Sequence, residues 1–138
     1  MVIDQRYSNK PLDPSLIPIL GNRRRGIGFD QLLTILPAKD DGDIFLKINN
    51  PDGSEAEACG NGTRCVADLI MEEGNFSKIT IETKAGSLIC QRDSNENITV
   101  NMGKVKTNWD DIPLSKFTDT LQVTLENAPF TNCTCVNI

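Results

Sequence analysis

The sequence predicts an α+β fold in which a mostly antiparallel sheet is rolled around a central helix. Segments that alternate apolar and polar residues outnumber those with a helical period, and three alternating segments follow one another with short polar turns between them. Hydrophobic residues make up 38% of the 138 residues and charged residues 24%, which is typical of a globular chain. This length suffices for one domain with its own core, and we predict a single domain over 1–138.

The elements predicted in the first half of the chain are, in order, a strand at 2–4, a helix at 14–20, strands at 32–36, 44–49 and 54–57, and a helix at 62–74. Asp13 followed by Pro14 is typical of a helix start. The run Asn50-Pro51-Asp52-Gly53 predicts a turn, because proline fixes φ and glycine accepts a conformation that side chains resist. The second helix has apolar residues at a period of 3.6, and Gly74 predicts its end.

The second half of the chain predicts strands only. Alternating segments at 78–83, 86–92 and 97–102 are separated by short polar turns, which is typical of a β-meander. Two further strands are predicted at 120–125 and 131–138. The sequence therefore predicts two helices and eight or nine strands.

The composition excludes several classes of chemistry. The formal net charge of −5 argues against a surface for nucleic acid or anionic membranes. The chain has no histidine, so Ser-His-Asp and Cys-His nucleophile systems and His-coordinated zinc are excluded within it. No segment is apolar over the roughly 20 residues of a membrane helix, and no signal peptide opens the sequence. We therefore expect a cytoplasmic protein with no nucleic-acid or membrane partner.

The five cysteines are Cys59, Cys65, Cys90, Cys133 and Cys135. An odd number of cysteines without an export signal favours free thiols over a disulfide framework. The C-x-C pair near the end of the chain lacks the further ligands of a zinc site. No metal site is expected.

The segment Ala58-Cys59-Gly60-Asn61-Gly62-Thr63-Arg64-Cys65 lies where a predicted strand gives way to the second helix. A thiol at this junction lies close to free backbone N–H groups and to the positive end of the helix dipole, which favour a thiolate and attract an anion. Gly60 and Gly62 let a ligand approach the backbone. The segment therefore predicts a reactive thiol beside a carboxylate or phosphate site. The alternative is that Cys59 is a small buried residue in a tight turn.

Other patterns point to chemistry less clearly. The acidic run at 40–43 begins like an EF-hand loop, but the glycine and the distant glutamate are not placed for calcium, which favours a solvated loop. The run Gly26-Ile27-Gly28 lacks the third glycine of a dinucleotide fingerprint.

Three segments in order, Gly26–Leu33, Asn50–Glu55 and Ala58–Cys65, resemble the N-terminal half of the diaminopimelate epimerase family. The resemblance covers nearly the whole chain. It implies interconversion of LL- and meso-diaminopimelate in lysine and peptidoglycan precursor biosynthesis, with no cofactor. A pair of cysteines would exchange the roles of acid and base on the two faces of the reacting carbon.

The resemblance also implies roles for five residues. Cys59 would be one catalytic thiol. Gln31 and Asn50 would be substrate-binding amides. Gly60 and Asn61 would hold a substrate carboxylate with backbone and side-chain groups.

The family folds as two similar lobes with the substrate between them, so the resemblance implies that 1–138 is a single N-terminal lobe, truncated at both ends, without the C-terminal lobe. None of the other four cysteines lies in a motif that matches the second catalytic cysteine, which favours inactivity of the isolated chain. The expected partners are the small-molecule substrate and either a second copy of the chain or a complementary C-terminal lobe. Two alternatives stay open, namely an inactive remnant or ligand-binding lobe, and a related cofactor-independent amino-acid racemase.

Overall fold

The computed structural model of the protein describes residues 1–125, 129 and 132–137. The chain divides into two compact units, Met1–Asn101 and Met102–Ile138. All helices and strands of the described residues belong to the first unit. They are β1 (Val2–Asp4), α1 (Leu16–Gly21), β2 (Leu32–Leu36), β3 (Ile44–Asn49), β4 (Glu55–Ala56), α2 (Gly60–Gly74), β5 (Lys78–Thr83), β6 (Gly86–Arg92) and β7 (Ile98–Asn101).

The seven strands of the described residues form one sheet in the order β1-β2-β3-β5-β6-β7, with β4 paired to β3 off this path. The pairs β2–β3, β3–β4, β5–β6 and β6–β7 are antiparallel. The pairs β1–β2 and β3–β5 are parallel. The predicted α+β class with a mostly antiparallel sheet is therefore confirmed, and the predicted meander corresponds to β5, β6 and β7.

The two faces of the sheet carry separate apolar clusters, because successive side chains of a strand point to opposite faces. On one face, side chains of β2, β3, β5 and β6 pack against α2. The buried members of this cluster are Leu33, Ile35, Ile44, Leu46, Ile48, Val66, Ala67, Ile70, Met71, Ile79, Ile81 and Cys90. A smaller cluster on the other face contains Ile17 of α1, Phe29 and Leu32. The sheet thus separates α1 from α2.

Helix α2 begins at Gly60, two residues before the predicted start, because Cys59 caps it and hydrogen bonding outweighs the low helix propensity of glycine. Its end at Gly74 agrees with the prediction. Gly74 is the last helical residue, and Asn75 takes the left-handed conformation with φ of 53°. A Cβ at position 74 would lie 2.0 Å from the ring of Phe76, so a larger residue there would require this half-exposed ring to move.

Helix α1 begins at Leu16, so the start predicted at Pro14 was wrong by two residues. The Asp13 carboxylate accepts hydrogen bonds from the backbone N–H of Ser15 at 2.9 Å and from its hydroxyl at 2.8 Å. The Leu16 N–H donates to the Asp13 carbonyl oxygen at 3.0 Å. Asp13 therefore closes a separate turn just before the helix, instead of capping its first residue.

The strands predicted at 120–125 and 131–138 do not form among the described residues of the second unit. Its described residues contain only two isolated bridges, Val123 with Cys133 and Lys106 with Asn137. Residues 126–128, 130, 131 and 138, which include part of the second predicted strand, lie outside the described residues. Alternation of apolar and polar residues sets which face of a strand is buried but does not supply a neighbouring strand. In the part of the chain that the structure describes, no helix has both the length and the apolar character to cross a membrane.

Candidate functional site

Cys59 lies at the first turn of α2, and its sulfur caps the helix. The residue is extended, with φ of −152° and ψ of 96°. The Gly62 N–H donates to Cys59 Sγ at 3.3 Å, and the Thr63 N–H donates to the Cys59 carbonyl oxygen at 2.8 Å. The side chain is half-buried and packs against the cluster beneath α2. Donation to the sulfur and the positive end of the helix dipole both favour negative charge at this atom.

The N-terminus of α2 lies directly on β2. A Cβ at Gly62 would lie 2.9 Å from Leu33 Cδ2 and 3.2 Å from Cys59 Sγ, so glycine lets the helix approach the sheet closely here. Leu33 is the second residue of β2. The Cys59 sulfur, which caps α2, therefore lies beside the start of β2.

Gln31 lies just before the start of β2, and Asn50 lies across from it just after the end of β3. The antiparallel register pairs Leu32 with Asn49, so Gln31 and Asn50 occupy the next position across. By strand alternation both share the face of Leu33, which is the face covered by α2. Both residues are half-buried. The register thus brings the two predicted amides to the end of the sheet where α2 begins.

A chain of hydrogen bonds in the turn after β3 orients Asn50. Its Nδ2 donates to Ser54 Oγ at 3.0 Å, and that hydroxyl donates to Asp52 Oδ1 at 2.6 Å. The Ser54 hydroxyl and backbone N–H both lower the pKa of Asp52 below its ordinary value. The contact uses one amide hydrogen of Asn50 and leaves its carbonyl oxygen able to accept a hydrogen bond.

Asn61 is exposed in the first turn of α2. Arg64 Nη2 donates to Asn61 Oδ1. This contact occupies the acceptor atom of the amide and leaves the Nδ2 group, which is the donor that a carboxylate ligand needs. Gly60, the first helical residue, contributes a backbone N–H at the same helix end.

All five residues predicted for the site, Gln31, Asn50, Cys59, Gly60 and Asn61, therefore lie where β2, β3 and α2 meet, and their roles stay predictions. Three further residues of this region were missed. Arg64 and Thr63 belong to the first turns of α2, and Ser54 belongs to the turn that holds Asn50. The i, i+3 spacing of Asn61 and Arg64 was the available signal for the first of them.

The other four cysteines differ from Cys59 in their surroundings. All five thiols are free. Cys65 is exposed on α2, whereas Cys90 on β6 is fully buried. Burial raises the pKa of Cys90 to about 11. Cys133 and Cys135 belong to the second unit.

The acidic loop at 40–43 is held by backbone contacts to Glu82 of β5. The Glu82 carboxylate accepts hydrogen bonds from the backbone N–H groups of Lys39 at 2.7 Å, Gly42 at 2.7 Å and Asp40 at 3.0 Å. These bonds, with that of Lys39 the largest cause, lower the pKa of Glu82 below its ordinary value. Across the described residues, no three cysteine, aspartate or glutamate side chains are grouped to hold a metal ion.

Two open clefts lie at the opposite end of α2 from Cys59. One of about 410 Å³ is lined by residues that include Phe76, Arg92 and Glu96, and one of about 480 Å³ includes Arg6 and Glu73. Their arginines are already paired, Arg92 with Glu96 at 2.8 Å and Arg6 with Glu73 at 2.6 Å. Neither cleft contains a residue predicted for the site.

Comparison with known proteins links the chain to one family. A family model described as diaminopimelate epimerase matches residues 1–108. The diaminopimelate epimerase of Rhodospirillum centenum is 37% identical over 139 residues, which is 100% of this chain and 48% of that protein. The diaminopimelate epimerase of Acidiphilium cryptum is 41% identical over 133 residues, 96% of this chain and 47% of that protein. The chain thus spans about half the length of the curated relatives it matches.

Solved structures show the same type of fold. A phenazine biosynthesis protein of the PhzF family from Bacillus anthracis matches with a TM-score of 0.53 and 25% identity, over 72% of this chain and 32% of that one. A hydroxyproline epimerase from Agrobacterium vitis, with bound trans-4-hydroxy-L-proline, matches with a TM-score of 0.52 and 25% identity, over 65% of this chain and 29% of that one.

Proposed function

The chain belongs to the diaminopimelate epimerase family, and from this we propose that it forms one half of the active site of an enzyme that interconverts LL- and meso-diaminopimelate without a cofactor. The reaction belongs to lysine and peptidoglycan precursor biosynthesis. The observation that carries the proposal is the Cys59 sulfur at the N-terminus of α2, with the Gly62 N–H donating to it.

Inversion at a carbon bearing a hydrogen requires a base on one face and an acid on the other. In the proposed mechanism, the Cys59 thiolate removes the α-proton or, as a thiol, returns a proton to the same face, according to the direction of the reaction. Two cysteine side chains can act as this acid and base, so the reaction needs no histidine, and the chain contains none.

The surrounding groups suit an amino-acid substrate. Its carboxylate would accept hydrogen bonds from the backbone N–H groups of Gly60 and Asn61 and from Asn61 Nδ2 at the positive end of α2. The amides of Gln31 and Asn50, opposite each other on the face covered by α2, would bind polar groups of the same substrate.

The second acid/base group would come from outside the first unit. Cys90 is fully buried with a pKa of about 11, which makes its thiol unsuited to exchange protons with a substrate near neutral pH. We propose a complementary C-terminal lobe as the source, since the curated relatives are about twice as long as this chain. In the whole fold, each lobe would roll its sheet around a central helix, which in this chain is α2.

A second copy of the chain is the other partner for this role, in a symmetric site with two Cys59 residues. Sedimentation velocity across a range of concentrations tests that arrangement. Dimers that form as concentration rises would support it, whereas a monomer at every concentration would leave the complementary lobe as the partner.

Two other functions follow from the same site. Without a second thiol, the chain would act as an inactive lobe that binds diaminopimelate-like ligands. The likeness to a hydroxyproline epimerase favours, as a second candidate, a cofactor-independent racemase for another amino acid. The amides of Gln31 and Asn50 favour diaminopimelate, because they suit a substrate with additional polar groups.

Proton NMR of LL-diaminopimelate in D₂O tests the proposal. Removal of the α-proton and return of a deuteron on the same face need only Cys59, whereas inversion needs the second group. We therefore expect loss of the Cα–H signal in the presence of the protein and no loss with Cys59→Ala. Cys65→Ala is the matched control, since Cys65 is an exposed thiol on the same helix. Line broadening without exchange would favour the ligand-binding lobe, and exchange of hydroxyproline alone would favour the racemase. Exchange that persists in Cys59→Ala would refute the role of this thiol.

A further inference from the structure

Thr63 is the fourth residue of α2 and lies about one helical turn after Cys59. Its side chain is fully buried, with 0% of its surface exposed. Its backbone N–H donates to the Cys59 carbonyl oxygen at 2.8 Å, the bond that opens the helix. The residue is thus tied to Cys59 through the backbone while its hydroxyl is closed off from solvent.

The hydroxyl oxygen of Thr63 is, among the described residues, the one buried side-chain oxygen or nitrogen that makes no hydrogen bond. Leaving a buried hydroxyl unpaired is unfavourable. A threonine hydroxyl in a helix commonly donates to the carbonyl oxygen four residues earlier, beside the backbone N–H. At Thr63 only the backbone N–H donates to the Cys59 carbonyl, and the hydroxyl makes no such bond. An unpaired donor is therefore held in the first turn of α2.

The side chain of Thr63 tilts toward the helix end that Cys59 caps, because side chains in a helix tilt toward its N-terminus. The Cys59 sulfur is held at that end by the Gly62 N–H at 3.3 Å. No side chain of residue 62 separates the two, because residue 62 is glycine.

We propose that Thr63 is a positioning residue for Cys59, whose hydroxyl donates a hydrogen bond to the sulfur when the sulfur carries negative charge. A neutral thiol is a weak acceptor, whereas a thiolate forms a stronger, charge-assisted hydrogen bond. The hydroxyl would therefore pair in the thiolate state and stay unpaired in the thiol state. Together with the Gly62 N–H it would give the thiolate two donors. The inference rests on the proposed role of Cys59 as the reactive thiol.

The test is the pH dependence of the alkylation rate of Cys59 by iodoacetamide, followed by peptide mass spectrometry in the intact chain. Thr63→Val keeps the shape of the side chain and removes the donor. We expect the midpoint of its pH profile to move up by about one unit, which slows alkylation below the midpoint roughly 10-fold. Thr63→Ser, which keeps a hydroxyl, should restore most of the original rate.

Two other cysteines serve as internal references. Cys65 is exposed, so its rate should be the same in all variants. Cys90 is buried and should stay unmodified wherever the chain is folded. Labelling of Cys90 in Thr63→Val would show that this variant does not fold. Thr63→Ala, which removes the same donor, would then take the place of Thr63→Val in the comparison.

A folded Thr63→Val or Thr63→Ala variant with an unchanged Cys59 profile would overturn the inference. Recovery in Thr63→Ser distinguishes hydrogen bonding from packing, because serine lacks the methyl group but keeps the donor. If Cys59 in the unmodified chain reacts no faster than Cys65, the reactive-thiol role fails instead. The two failures can be told apart. The reactive-thiol role is tested by comparing Cys59 with Cys65 in the unmodified chain, and the role of Thr63 is tested by comparing Cys59 between variants.

Discussion

Cys59 and Cys90 are thiols of the same unit in opposite surroundings. Cys59 is half-buried at the N-terminus of α2 and accepts a hydrogen bond from Gly62. Cys90 is fully buried between β6 and α2, and burial raises its pKa to about 11. At the scale of single residues, burial and position in the fold give the two thiols different surroundings, and we expect Cys59 rather than Cys90 to react.

We expect iodoacetamide to modify Cys59 first at neutral pH, at least about 10-fold faster than the exposed Cys65. Cys90 should stay unmodified until the chain unfolds, because at pH 8 only about one thiol in 1,000 with such a pKa is ionised. Timed alkylation and peptide mass spectrometry measure all five rates in one sample. Equal labelling of all five thiols in folded protein would contradict this.

The Ser54 hydroxyl holds Asn50 through a 3.0 Å hydrogen bond. Ser54→Ala should weaken binding of diaminopimelate by about 1 kcal/mol, or roughly fivefold, because the amide of Asn50 loses its orientation. Ligand titration followed by NMR measures the effect. Ser94→Ala, in the exposed turn between β6 and β7, is the control. An unchanged affinity in Ser54→Ala would show that the contact does not position the amide.

At the scale of elements, Glu82 fixes the loop between β2 and β3 to β5. Three backbone N–H groups donate to its carboxylate and lower its pKa below the ordinary value of 4.5. The stabilisation is therefore fully present above about pH 4.5 and is lost as the pH falls through the lowered value in the folded state.

Glu82→Gln should lower the thermal stability at neutral pH and flatten its decline in acid, because a neutral amide presents its own N–H groups to some of these donors. Thermal melts followed by circular dichroism from about pH 2.5 to pH 7 measure both effects. Glu55→Gln on β4, an exposed position, is the control. A variant with the same acid profile as the unmodified chain would contradict the role of Glu82.

The elements show which features the sequence could predict. The strands at 32–36, 44–49, 78–83 and 86–92 have their predicted bounds, because apolar pattern and turn residues are local signals. The parallel pairing of β1 with β2 was not predictable, since it depends on contacts distant in sequence. The strands predicted at 120–125 and 131–138 were wrong for the same reason. Alternation does not show whether a segment has a partner strand, and the described residues there form only isolated bridges.

The candidate site was predictable in its residues but not in its contacts. The pattern of cysteine and glycine at 58–65 predicted the thiol and its neighbours, and the resemblance to the family predicted Gln31 and Asn50. Gln31 and Asn50 lie across from each other because of the register of β2 with β3. No local sequence pattern sets that register. The unpaired hydroxyl of Thr63 was equally hidden, because hydrogen-bond satisfaction depends on the packed structure.

At the scale of the whole molecule, the first unit contains both apolar clusters and every predicted site residue. A chain of residues 1–101 should therefore unfold cooperatively on its own and keep the fast alkylation of Cys59. Denaturant unfolding followed by circular dichroism, together with the alkylation rate, measures this. Loss of cooperative unfolding in 1–101 would show that the second unit is needed for the stability of the first.

The mixed sheet also has a consequence for the order of folding. Strands β5, β6 and β7 pair with neighbours that follow directly in the chain, whereas β1 pairs Val2 with Leu33 across a long connection that contains α1. Bringing the ends of that connection together costs chain entropy before its contacts form, so short-range pairs should form earlier in folding. Pulsed hydrogen exchange during refolding should therefore protect the amides of β5 and β6 first. The edge strand β1, and with it the start of β2 that adjoins Cys59, should become protected last.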